Sequence, residues 1–140
     1  MLAEEEVRER TRAVVDAYYQ AGVRGDLKSF APYIHADFTV SAPNYLPWGG
    51  QHDAEFFTDV LSTLPDVLDF SRFHYLSFIA EGTHAVAFIE VGVTGTDASV
   101  QISEHWDVVD GSARSIKVAY YEPQALLEKI GIANIPLPSH

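Results

Sequence analysis

Val7, Thr11, Val14, Val15, Tyr18 and Gly22 recur at three- and four-residue steps, which predicts a helix from Ala3 to Val23 with one buried face. The acidic run Glu4-Glu5-Glu6 suits the positive end of its dipole, and Gly22 and Gly25 mark its end. Asp26 is placed to cap a short second helix, about Leu27 to Ile34. A β-like run from Asp37 to Ala42 leads into Pro43-Asn44-Tyr45-Leu46-Pro47-Trp48-Gly49-Gly50, where two prolines and two glycines exclude regular structure. Asp53 to Leu64 predicts a third helix, stopped by Pro65, with Phe56, Phe57, Val60, Leu61 and Leu64 apolar.

Beyond Pro65 the pattern changes to strands: Leu68 to Ile79, His84 to Thr94, Ser99 to Val109 and Arg114 to Tyr121. Their connections contain Glu81-Gly82, Gly95-Thr96-Asp97 and Asp110-Gly111, which are hairpin-type turns. Connections this short make neighbours antiparallel, because a parallel crossover needs roughly a dozen residues or more. Pro123 to Ile130 adds a helical turn, and Pro136 and Pro138 leave the end irregular. Helices first and an antiparallel meander afterwards predict one α+β domain over residues 1–140. A strongly curved sheet with helices on one face would enclose a cavity.

The strand Val100 to Val109 carries the clearest chemical signal. Val100, Ile102, Glu104, Trp106 and Val108 share one face, and Gln101, Ser103, His105, Asp107 and Val109 share the other. A register shift of one residue would expose Trp106 and bury Asp107, so the first face is the inner one. Glu104 is then a carboxylate on a buried face, where it must be paired, hydrogen-bonded or protonated. Two readings follow: a structural ion pair with an Arg or Lys, or an acid facing a small-molecule pocket. The strand His84 to Thr94 is apolar on both faces, so Glu90 has no assigned side. An outer face this apolar suggests that the sheet packs on a second copy of the chain. Tyr18 lies on the apolar face of the first helix, with Tyr19 turned about 100° away. Tyr45 and Trp48 are large rings on a loop, and they cover either the core or the rim of a cavity.

Composition narrows the function classes. Nine basic and twenty acidic residues give a net charge of −11, which repels phosphate backbones and anionic lipid, so neither nucleic acid nor a membrane surface is expected as a partner. The chain has no cysteine, which excludes disulfides and thiolate metal sites. With no apolar leader near the start and no stretch able to span a bilayer, the expected location is cytoplasmic. His35-x-Asp37 is too sparse for a metal site, His52 is expected at the surface, and no phosphate loop or nucleophile elbow is present. Neither metal nor cofactor is expected.

Val14-Val15-Asp16-Ala17-Tyr18-Tyr19 before Gly25-Asp26-Leu27, Asp37-Phe38-Thr39-Val40, Pro47-Trp48-Gly49-Gly50 and Glu104-His105-Trp106 before Asp110-Gly111 together resemble the nuclear transport factor 2-like superfamily. The closing Tyr120-Tyr121-Glu122 resembles the aromatic-aromatic-Asp ending of SnoaL-like members. The resemblance implies a curved antiparallel sheet closed by helices into a cone-shaped pocket (a cystatin-like fold), often dimeric. It also implies an isomerase or polyketide-cyclase type of enzyme working by acid catalysis on a hydrophobic carbonyl compound, or a non-catalytic binding or dimerisation domain. By position, Tyr18 resembles the oxyanion-hole tyrosine of ketosteroid isomerases, and Glu104 their protonated Asp. The general base of that family would fall at Ala42, which cannot take a proton. Tyr45, Trp48, Phe88, Trp106 and Tyr120 are expected to line the pocket, with Glu90 or Glu122 as a base.

Overall fold

The computed structural model describes residues 3–131, so Pro136 and Pro138 lie outside the described residues. Helix α1 (Glu4–Val23) opens the chain, with its three acidic residues in the first turn as the dipole favours. A 3-10 segment follows (Leu27–Tyr33), and Pro32 within it removes a backbone donor, consistent with a tight, short helix. Asp26 does not cap this segment with its carboxylate; its backbone carbonyl instead accepts from both the amide and the hydroxyl of Ser29. Helix α2 (Ala54–Thr63) is capped by Asp53, whose carboxylate accepts from the Phe56 amide at 3.0 Å. Helix α3 (Gln124–Ile130) ends at Gly131, whose φ of 82° is the left-handed conformation that glycine adopts without strain.

Six strands form one curved, unclosed sheet: β1 (Ile34–Ala42), β2 (Gly50–Asp53), β3 (Leu68–Glu81), β4 (His84–Val93), β5 (Ser99–Val109) and β6 (Ser112–Tyr121). Their order is β2-β1-β6-β5-β4-β3. The meander β3 to β6 is antiparallel throughout, whereas β1 runs parallel to β6. That parallel pair departs from the antiparallel expectation. Its long connection passes through β2, α2 and the rest of the meander, and no local periodicity reports a pairing across such a distance. Strand β2 follows the irregular Pro-Gly loop and pairs with β1.

The inner face of β5 is the expected one, with Val100, Ile102, Glu104, Trp106 and Val108 all buried. On β4 the buried set is Ala85, Ala87, Ile89, Val91 and Val93. Helix α1 crosses the inner face so closely that Gly22 is needed within the helix: a β-carbon there would stand 2.6 Å from the Phe70 ring of β3. The core around Tyr18 is aromatic, with Tyr19, Phe30 and Trp106 rings at centroid distances of 5.0 to 5.3 Å. Such pairs contribute about 0.5–1.5 kcal/mol each beyond the area they bury.

Candidate functional site

Strand alternation carries Glu104 inward, where it pairs across the sheet with Ala87 on β4 and Val118 on β6. Helix α1 lies over it. The Tyr19 hydroxyl donates to Glu104 Oε1 at 2.6 Å, and Trp106 Nε1 donates to the Tyr19 oxygen at 3.0 Å. An indole N–H only donates, so the Tyr19 oxygen is the acceptor there and its own proton goes to the carboxyl group. All three side chains are buried. The hydrogen-bond partner of Glu104 is therefore Tyr19 and not Tyr18. The curved sheet wraps α1 far enough that Tyr18 and Tyr19, about 100° apart on the helix, are both inside.

No ion pair neutralises Glu104 among the described residues. Arg72 is held by Asp69 at 3.2 Å, and Arg114 faces Asp37 at 3.9 Å. Burial pushes the Glu104 carboxyl up to about 7, and the hydrogen bond from Tyr19 acts in the opposite direction. Burial also raises the Tyr18, Tyr19 and Tyr120 hydroxyls well above the usual phenol range, and the Glu104 charge adds to each shift.

A cavity opens beside the carboxyl group. Tyr18, Glu104, Ile116, Val118 and Tyr120 form one side of it, Phe56, Phe57, Val60 and Leu64 the α2 side, and Val40, Ala42 and Trp48 the remainder. The void measures about 390 Å³ out to its open mouth, but only about 30 Å³ is wide enough to admit the centre of a water molecule. That space suits one or two waters or a small functional group. Every fully buried side-chain nitrogen and oxygen among the described residues has a hydrogen-bond partner. Only Oε1 of Glu104 receives such a bond, so Oε2 retains access to the cavity. The same reasoning leaves the Tyr18 hydroxyl, which makes no side-chain hydrogen bond among the described residues, facing that space.

Of the residues expected around the pocket, Tyr18, Trp48, Glu104 and Tyr120 meet at the cavity. Trp106 lies beneath it, wholly buried. Tyr45 packs on the core without lining the cavity. Phe88 and Glu90 are on the outer face, opposite in parity to Ala87 and Ile89; Phe88 meets Tyr121 edge to face, and Glu90 lies 3.6 Å from His74. Glu122 is exposed just past the end of β6, in a left-handed turn with φ of 48°. None of these three reaches the pocket, so neither Glu90 nor Glu122 stands as a base within it. His52 is not a simple surface residue: it is half-buried, stacks on Phe56 at 3.7 Å and bonds the Gly49 carbonyl at 2.7 Å. Among the described residues no three His, Asp or Glu side chains converge as a metal site.

The sequence reading missed Tyr19 and the α2 wall as site residues. The apolar spacing of Phe56, Phe57, Val60 and Leu64 was visible, but not which side of the pocket it would close.

A SnoaL-like domain model matches residues 15–116, and the chain belongs to that family. A search of curated proteins finds no significant match. The fold is shared with a steroid delta-isomerase from Pseudomonas aeruginosa at a TM-score of 0.69 and 19% identity, covering 87% of this chain and 89% of that one. It is shared with a nuclear transport factor 2-like protein from Burkholderia xenovorans LB400 at 0.66 and 18%, covering 87% and 96%. A de novo designed protein with a curved β-sheet also matches, at 0.70 and 20%, covering 91% and 97%. Identities this low establish the architecture, and architecture alone does not fix an activity. No helix among the described residues is long and apolar enough to cross a membrane.

Proposed function

We propose that the protein binds a small hydrophobic carbonyl compound in this cavity and moves a proton on it, as an isomerase or polyketide-cyclase type of enzyme, with Glu104 as the acid–base group. One observation carries the reading: Glu104 has one oxygen held by Tyr19 and the other open to an apolar, aromatic-lined cavity. A carboxyl group poised near neutrality takes up and returns protons efficiently at neutral pH. Tyr18 supplies a hydroxyl in the same space. The name of the steroid delta-isomerase relative agrees with this chemistry. The narrow free volume favours a small reacting group, with Trp48 and Phe56 giving way for anything larger.

A second reading, ligand binding without conversion, is favoured by Ala42. It stands in the cavity wall where the resemblance to ketosteroid isomerases places the base. A thermal-shift screen of steroid-like and polyketide-like ketones, followed by product analysis of each hit, separates the two. Conversion that is lost in Glu104→Gln supports the enzyme. Binding with no product supports the binding domain.

The reading includes a homodimer in the cytoplasm. Leu76, Ile79 and Tyr121 leave apolar surface exposed, with Phe88 beside Tyr121 on the outer sheet face. Sedimentation at micromolar concentration tests the dimer, and a monomer would remove it from the account.

A further inference from the structure

The cavity has a floor and a rim. Trp48, Phe56, Val60, Val118 and Tyr120 are half-buried and the other lining residues are buried, so these five mark where it opens. Behind them only about 30 Å³ is wide enough for the centre of a water molecule, whereas pockets for drug-sized ligands run to roughly 300–1,000 Å³. A ring-sized ligand enters only if part of the rim swings out. Val118 and Tyr120 belong to β6, which β1 and β5 hold on both sides. The parts free to move are Trp48, on its loop, and Phe56, on α2.

His52 touches both. It lies on the edge strand β2 opposite Val40, and so shares the inner face with that cavity residue. Its ring stacks on Phe56, with centroids 3.7 Å apart and planes 19° from parallel. Its Nε2 lies 2.7 Å from the carbonyl of Gly49, the residue after Trp48. A carbonyl only accepts, so Nε2 carries the proton and donates it. The loop is built to pivot at this point. Leu46 is buried and anchors it, with one turn closed back to Pro43 and a second closed on to Gly49. Past Trp48, a β-carbon at Gly49 would collide with the Pro43 carbonyl, and Gly50 has φ of 89°, so both positions need glycine.

We propose that His52 is the latch of the cavity mouth and the residue that sets the size of ligand admitted. Closed, one imidazole holds the Trp48 loop through Gly49 and holds Phe56 by stacking. Rotation at Gly49 and Gly50 breaks the bond, carries the indole outwards and frees Phe56, so the two rings part together. A ligand too large for the closed mouth binds only the open form, and its apparent affinity is reduced by the fraction of molecules that are open. The inference rests on the cavity being the ligand site, and it requires no particular chemistry there.

The test uses the full chain, whose two tryptophans are Trp48 and the wholly buried Trp106. Fluorine-labelled tryptophan then gives one NMR signal at the mouth and one internal control. Wild type is expected to show microsecond-to-millisecond exchange at Trp48 and none at Trp106. His52→Ala is expected to raise the open fraction about two- to tenfold, the equilibrium equivalent of one net hydrogen bond, read as acrylamide quenching of Trp48 with Trp106 unchanged. His52→Phe, which keeps the stack on Phe56 and loses only the bond, is expected to open less, and it serves if His52→Ala does not fold. Calorimetry with cyclohexanone and the fused two-ring ketone decalone reads the size limit. Affinity for decalone should rise in His52→Ala by the same factor as the open fraction, and affinity for cyclohexanone should rise less. Equal quenching and exchange of Trp48 in wild type and both variants would overturn the latch, whatever the ketones do. Wider opening with an unchanged preference between the ketones would overturn the size role. Wider opening with neither ketone bound by any of the proteins would support the latch and overturn the ketone-binding reading of the cavity instead.

Discussion

The Tyr19 hydroxyl stands 2.6 Å from Glu104 Oε1 while accepting the Trp106 indole N–H at 3.0 Å, so the orientation of this buried carboxyl group is set by a side chain on α1 and a neighbour on its own strand. Tyr19→Phe leaves a buried acceptor and a buried indole donor without partners. The expected cost is about 1–3 kcal/mol in denaturant unfolding. The Glu104 titration should also move further upward, because the lost bond opposed the effect of burial.

The same carboxyl group makes stability depend on pH in a defined direction. Its folded value is raised from 4.5 to about 7, so the folded chain retains a proton that the unfolded chain has lost between those values. Its contribution is complete below about 4.5 and is lost as pH rises through about 7, a change on the order of 3 kcal/mol. Unfolding free energies measured from pH 4.5 to 7 should fall more steeply in wild type than in Glu104→Gln. Parallel curves would show that Glu104 titrates alike in both states.

Gly22 tests the packing of α1 on the sheet. In Gly22→Ala the new methyl would meet the Phe70 ring at 2.6 Å, so the usual helix gain from alanine is outweighed by overpacking. A loss of about 1–3 kcal/mol in thermal or denaturant unfolding is expected. A stabilised variant would show that Phe70 yields freely.

Asp53→Ala removes the α2 cap and should cost about 1 kcal/mol. Because Phe56 and Phe57 on that helix wall the cavity, the variant should also weaken ligand binding beyond what the stability loss predicts. Calorimetry with any hit from the ketone screen measures this effect.

How legible the site was follows from individual residues. Strict alternation on β5 was enough to turn Glu104 inward, since the opposite register would have buried Asp107 and exposed Trp106. Strand β4 misled because its inner face uses the small residues Ala85 and Ala87 against neighbouring strands, while the larger Phe88 lies outside. Hydrophobicity cannot rank two apolar faces. A helical period of 3.6 residues placed Tyr18 inside correctly, but the width of the buried arc depends on sheet curvature, which is why Tyr19 was overlooked. Gly22 read as the end of a helix and proved to be a point of close approach. The parallel pairing of β1 with β6 joins residues separated by most of the chain and leaves no local trace.

The most direct test is a carbon NMR titration of the Glu104 side-chain carboxyl, assigned by comparison with Glu104→Gln. The account predicts a single transition near pH 7, well separated from the exposed glutamates, with a further shift when a ketone ligand fills the cavity. A midpoint near 4.5 that no ligand perturbs would show a solvated or otherwise neutralised carboxylate, and would contradict Glu104 as the acid–base group of a pocket.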